Sequence, residues 1–335
     1  MARRNRAPPI FHVGLHKTGT TWFQKRFYPN VPGYRFVNRR LVRSTLLGTS
    51  PLAFDAVAAR QALGLDDGDP AIVCEEDLSG ILHNGGLLTN YVAKEIANQL
   101  HAIAPEARIV IFVREQAAMA ASWYQQYLRE GGTASVRHYL FPEDYLFLGK
   151  ARPLKVPRFD FSAFDYDRLV AHYDSLFGRR QVFVFAYEQL VRDPAAFIAD
   201  LCRHLDLTLP DGLDHSRLNS SYRAALVPAA RLLNLFSRRE VADKTTLFHI
   251  PFSFKAREFL LEKLNRLPLF GPVRSPEALL GRETVEWIRQ RFAASNRALQ
   301  ERMGVDLSEL GYATAAPSRP VERPARSSLF KWTKN

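Results

Sequence analysis

Apolar and polar positions along the chain switch between continuous runs and a helical period, and the predicted elements follow those switches. Pro9 to Val13 is a continuous apolar run, which reads as a strand; a glycine-containing loop and a helix from Thr20 to about Tyr28 follow. Gly33 to Asn38 predicts a short strand, Ser50 to Leu63 a helix, Asp66 to Pro70 a turn and Ala71 to Cys74 a short buried strand. Leu88 to Ile103 has a helical period. Arg108 to Val113 is the strongest strand signal, continuous and β-branched as in strands buried on both faces. Glu115 to Arg129 reads as a helix that opens on an acid and stops at Gly131-Gly132. Phe164 to Phe177 is a helix closed by Gly178, and Gln181 to Ala186 is another buried strand. Asp193-Pro194 then supplies an N-cap and first-turn proline for a helix to about Leu205. Beyond Leu207 the strand signal ends, and Arg223 to Arg239, Phe254 to Leu264 and Pro276 to Met303 are helical by period.

Strand, turn and helix recur in that order, which predicts an α/β fold: a doubly wound, three-layer α/β/α domain with a central parallel sheet and C-terminal helices packed on it. The expected organisation is a basic extension over 1–8, a domain over 9–313 whose helical part starts near 207, and a Pro/Arg-rich, disordered tail over 314–335. Gly131 to Phe161 has no long periodic run but carries Arg137, His138, Tyr139, Phe141 and Tyr145. An irregular stretch of that length inside a domain is expected to be functional, as the wall or lid of a binding site.

Composition narrows the setting more than the chemistry. The 335 residues are 47% hydrophobic, enough for a sizeable core. Cys74 and Cys202 sit in apolar segments and read as core residues, neither a disulfide nor a metal site. The basic N-terminus lacks the apolar stretch of a signal peptide, and no run reaches the ~18 apolar residues of a membrane span, so a cytoplasmic protein is expected. The net charge of +12 favours polyanionic ligands without choosing among nucleotides, nucleic acids, glycans and anionic membranes. The tail ends in Leu329-Phe330-Lys331-Trp332, which suits peripheral contact with an anionic membrane, although a solvated basic tail is the simpler account.

Candidate chemistry gathers first in the opening loop, Gly14-Leu15-His16-Lys17-Thr18-Gly19-Thr20-Thr21-Trp22. Glycines let the backbone curl so that its N–H groups and the helix start converge, while Lys17 and the hydroxyls of Thr18, Thr20 and Thr21 add charge and donors, which makes an anion trap. A Walker A loop places its lysine after the second glycine, whereas Lys17 precedes Gly19 here. The run Lys-Thr-Gly-Thr-Thr-Trp resembles the 5′-phosphosulfate loop of sulfotransferases that use 3′-phosphoadenosine 5′-phosphosulfate (PAPS). That resemblance implies a P-loop-like fold, Lys17 on the bridging oxygen in the transition state, Thr20 and Thr21 on the 5′-phosphate, and Trp22 near the adenine. His16, beside Lys17, either contacts the transferring group or shapes the loop.

Two further clusters extend the resemblance. Arg114 at a strand end, with Ser122 eight residues on, is similar to the family's 3′-phosphate site, and arginine suits a terminal phosphate because its planar fork bonds two oxygens at once. Val73-Cys74-Glu75-Glu76-Asp77-Leu78-Ser79-Gly80 resembles the Ser-x-Glu-x-Leu-Ser-Gly run of bacterial sulfotransferases, which aligns Glu76 with the family's glutamate and makes it the expected base, with Glu75 second. His83 is a weaker candidate for the acceptor site. Glu188, in Tyr187-Glu188, matches a family feature expected to be structural. Asn219 to Arg223 is polar and placed to close over the 3′-phosphate, whereas the Arg-Lys-Gly-x-x-Gly-Asp-Trp-Lys run of cytosolic relatives is absent. The resemblance covers roughly 9–313 and points to a bacterial carbohydrate-type enzyme that needs PAPS, a glycan or other hydroxyl acceptor, no metal and no specific nucleic acid. A P-loop kinase and a non-catalytic polyanion-binding module are the alternatives. The lysine order speaks against the first, and a carboxylate at Glu76 against the second.

Overall fold

Five of the apolar runs become strands: β1 (Ile10–His12), β2 (Arg35–Phe36), β3 (Ala71–Cys74), β4 (Arg108–Val113) and β5 (Val182–Ala186). The structure, a computed structural model, describes residues 7–66, 68–80, 82, 86–142, 159–216, 221–236, 247–248, 250–315 and 322–324. The strands form a parallel sheet in the order β2-β3-β1-β4-β5. Phe11 of β1 stands opposite Val73 of β3 and Ile109 of β4. The chain runs outward from β1 to β2, returns to β3, crosses β1 to reach β4 and continues to β5. The connections after β1 and β4 therefore lead to opposite sides, which opens a crevice at their carboxyl ends.

The helices of the first half are α1 (Thr20–Trp22), α2 (Arg39–Val42), α3 (Ala56–Ala62), α4 (Gly86–Ile103), α5 (Gln116–Arg129) and α6 (Val136–Leu140). Those of the second half are α7 (Tyr166–Phe177), α8 (Tyr187–Arg192), α9 (Pro194–His204), α10 (Leu226–Leu233), α11 (Ser253–Asn265), α12 (Pro276–Leu280) and α13 (Arg282–Met303). Alternate strand residues feed two apolar clusters. Phe11, Val73, Ile109 and Ile111 pack with residues of α4, α5, α7 and α13 on one face. Ile10, Ile72, Val110 and Phe112 pack with Trp22, Phe23 and Phe27 and with α9 on the other. Two covered faces give the α/β/α layering, and they explain why the strands read as continuous apolar runs.

Several boundaries differ from the periodic reading. The strand expected over Gly33 to Asn38 shortens to two residues, because the Asn38 side chain accepts a hydrogen bond from Arg40 N and caps α2, a helix the period did not reveal. The single helix expected over Pro276 to Met303 is two, broken at Gly281 with φ of 90°. The expected helix from Arg223 is regular only from Leu226 to Leu233 and ends in a 3₁₀ turn, and Ser237 to Arg239 lie outside the described residues. Within Gly131 to Phe161, α6 forms under a Ser135 cap, and 143–158 lie outside the described residues. The expected disordered tail contributes a packed piece, in which Arg137 donates to the Pro324 carbonyl at 2.9 Å and the Arg323 guanidinium lies 4.6 Å from the Phe141 ring centre. Cys74 and Cys202 are free thiols in the core. Among the described residues no helix is long and apolar enough to cross a membrane.

Candidate active site

β1 ends beneath the loop and fixes where it starts. Val13 N donates to Val110 O and Leu15 N to Phe112 O, so the chain stays tied to β4 for three residues beyond the strand proper. Gly14, Lys17 and Gly19 then take positive φ values of 94°, 65° and 91°, and the backbone curls back before Trp22 N bonds Gly19 O at 2.8 Å. Gly14 is also sterically required, since a side chain there would meet the Glu76 backbone at 3.2 Å. Helical backbone continues from α1 through a π turn over Phe23–Phe27 and a 3₁₀ turn over Tyr28–Asn30. The hydroxyl of buried Thr18 donates to Leu15 O at 2.5 Å and so braces the loop. Thr20 is buried at the helix start and Thr21 is partly exposed.

Lys17 turns inward. Its ammonium donates to Gln126 Oε1 at 3.1 Å on α5, and Gln126 in turn donates to Glu130 at 2.7 Å. Burial, followed by the nearby Arg129 and Arg114 guanidinium groups, pulls the Lys17 ammonium down to about 8, against a smaller opposing pull from Glu130 and Glu76. The locality is thus over-supplied with positive charge. Arg114, directly after β4, donates to the Lys17 carbonyl at 2.9 Å and lies over the Tyr187 ring at 4.9 Å. Ser122 is buried on α5 one turn before Gln126, so it shares the helix face that meets Lys17. Trp22 stacks with Phe27 and with His215, at centroid distances of 6.0 and 5.9 Å, and its indole N–H donates to Asp214 O.

The acidic run after β3 separates into three carboxylates with different partners. Glu75 is completely buried and takes two bonds each from Arg39 and Arg43, all between 2.9 and 3.1 Å. Burial alone would raise its pKa, but the hydrogen bonds from Arg39 and Arg43 outweigh that and hold the carboxyl below its ordinary range. Glu76 is turned the other way, held at one oxygen by Arg39 (2.9 Å) and at the other by Gln24 (2.7 Å), with 18% of its side chain exposed. Asp77 pairs with Arg43 at 2.8 Å and lies 3.6 Å from His16 Nε2, which donates to the Gly80 carbonyl at 2.7 Å. Burial pushes the Asp77 carboxyl up, partly offset by His16.

The loop, Arg114, Ser122 and Glu76 therefore meet at the carboxyl ends of β1, β4 and β3. His83, Asn219 and Ser220 lie outside the described residues. Arg223 bonds Asn265 O and Gly271 O, and this ties it into the helical region. Glu188 accepts from Glu115 N and from the Tyr312 hydroxyl, joining α8 to the start of α5 and to the C-terminal segment. Sequence reasoning missed Arg39, Arg43, Gln24 and Gln126. A signal for the first two existed: arginines four apart share a helix face, and the carboxylate next to buried Cys74 requires a counter-charge.

Comparison with known families finds one match within the chain. Residues 92–211 match the model of the sulfotransferase family. The matched segment carries Arg114 and Ser122, while the opening loop and Glu76 precede it. Similar solved structures include a sulfotransferase from Alicyclobacillus acidocaldarius, with 21% identity, 81% of this chain and 99% of that chain covered, and a TM-score of 0.45. The sulfotransferase domain from the curacin biosynthetic pathway is 14% identical over 93% of this chain and 100% of that chain, with a TM-score of 0.41. A sulfotransferase from Mycobacterium tuberculosis is 14% identical over 71% of this chain and 73% of that chain, with a TM-score of 0.34. No curated protein sequence matches.

Proposed function

We propose that the protein transfers the sulfuryl group of PAPS to a hydroxyl of a carbohydrate acceptor. The observation that carries the reading is the desolvated Lys17 ammonium, crowded by Arg114 and Arg129 and facing the side of the crevice that holds Glu76. A site with excess buried positive charge gains from a polyanion. One that only bound anions would gain nothing from a carboxylate beside it.

The residues fit a bisphosphorylated nucleotide. Thr20, Thr21 and the curled loop backbone would hold the 5′-phosphate, and Arg114 with Ser122 the 3′-phosphate. PAPS supplies an activated sulfuryl group. Glu76 takes the proton from the acceptor hydroxyl as the new oxygen–sulfur bond forms, and Lys17 and the loop N–H groups stabilise the negative charge left on the bridging oxygen. Arg39 and Gln24 fix the Glu76 carboxylate from both sides, whereas Glu75 is enclosed by its arginines and supports that arrangement. An adenine stacked on Trp22 takes the place of a ring that now covers it, and His215 is the movable one because it lies on a loop.

Labelled PAPS incubated with glycan and lipid fractions tests the reaction and names the acceptor. Glu76→Gln should lower transfer by at least about 100-fold, the usual loss for a general base, while bisphosphate affinity stays within about threefold of wild type. Transfer that survives the substitution removes Glu76 from the chemistry.

A further inference from the structure

The outer face of α11 carries residues that ordinarily avoid water. Phe254, Arg257, Leu261 and Asn265 form its buried side. At about 100° per residue, the opposite side falls on Phe259 and Lys263, and Phe252 immediately precedes the helix. Phe252 is 87% exposed and Phe259 64%, with Leu260 and Leu267 exposed beside them. Together with Phe248, these two are the exposed phenylalanines among the described residues. Lys255 and Arg266 flank them, and the Lys263 ammonium lies 5.0 Å from the Phe259 ring centre. Glu258 and Glu262 sit towards one edge of the face. Leu269, 75% exposed, extends the apolar strip into the turn that follows.

We propose that this face docks on the surface of an anionic lipid bilayer. Phe252, Phe259, Leu260 and Leu267 would enter the boundary between headgroups and acyl chains, with Lys255, Lys263 and Arg266 at the level of the lipid phosphates. An apolar strip of this size on a water-facing helix marks an interaction site. The basic residues select the partner, because the centres of protein interfaces are depleted of lysine, whereas lysines and arginines bordering an apolar strip of phenylalanine and leucine suit the headgroup level of an anionic bilayer. Lysine stems bury along apolar surface while their heads reach the phosphates. The net charge of +12 adds long-range attraction to a negative surface. The docking is independent of the reaction at the crevice.

Co-sedimentation of the full-length protein with phosphatidylcholine vesicles, with and without phosphatidylglycerol, tests the proposal. Wild type should bind the anionic vesicles and bind the neutral ones far more weakly. Phe252→Ser/Phe259→Ser should reduce anionic-vesicle binding by at least about tenfold with an unchanged melting temperature. Lys255→Glu/Lys263→Glu, which keeps the apolar strip, should lose the preference for phosphatidylglycerol. Equal binding by wild type and the phenylalanine variant would overturn the proposal and move the contact to the basic tail. Absence of wild-type binding would also overturn it, as would a dimer that the phenylalanine variant dissociates without change in vesicle binding, since the face would then seat a second copy.

Discussion

At the residue scale, Lys17 links binding to pH. Its ammonium is held near 8 because burial and the neighbouring guanidinium groups penalise the charged form. A bound bisphosphate would reverse that penalty, so the complex takes up a proton when pH exceeds the free value. Affinity for 3′,5′-bisphosphoadenosine should accordingly be flat below pH 8 and fall as pH rises above it, by up to about tenfold per unit. Lys17→Ala should remove this dependence, as calorimetric titrations from pH 6.5 to 9.5 would show. A slope that persists in the variant would assign the titration to another group. Lys17, Arg114 and Glu76 stood out in the sequence as candidates because each sits in a short run where local order suggests chemistry. Gln126 was not, since only the fold brings a mid-helix glutamine to the lysine 109 positions away.

At the element scale, α2 and the turn after β3 act as one unit through Glu75. Removing the buried carboxylate takes from Arg39 and Arg43 their shared partner while Glu76 and Asp77 still pair with them, and Glu75→Gln should cost about 1.5–3 kcal/mol of stability, more than Glu76→Gln. Denaturant midpoints measure the difference. The depressed Glu75 carboxyl stabilises the fold above its ordinary pKa of 4.5, and that contribution is lost as pH falls through the lower folded value. The glutamine variant should therefore be less acid-sensitive than wild type. The same region shows what periodicity cannot reach. β4 was readable residue for residue because five consecutive buried positions after Arg108 leave no other period. β2 keeps two residues and α2 four, too short for either period to register. Gly281, with Ser275-Pro276 starting the preceding turn, was the available signal that one long helix is two.

At the scale of the molecule, recurring strand–helix units made the α/β class readable, while the strand order was not. β1, β3, β4 and β5 are each apolar enough to be central, and the order depends on which edges pair, which residue patterns leave unspecified. That order gives the site its shape: β1 lies between β3 and β4, so a loop, an acid-bearing turn and an arginine distant in sequence open on one crevice. The account requires this crevice to prefer a nucleotide phosphorylated at both ends of its ribose over one with a triphosphate chain. Calorimetric titration of the full-length protein with 3′,5′-bisphosphoadenosine and with magnesium ATP measures that preference directly. The bisphosphate should bind at least about tenfold tighter, or ~1.4 kcal/mol. Tighter binding of ATP would contradict the sulfotransferase reading and point to phosphoryl transfer.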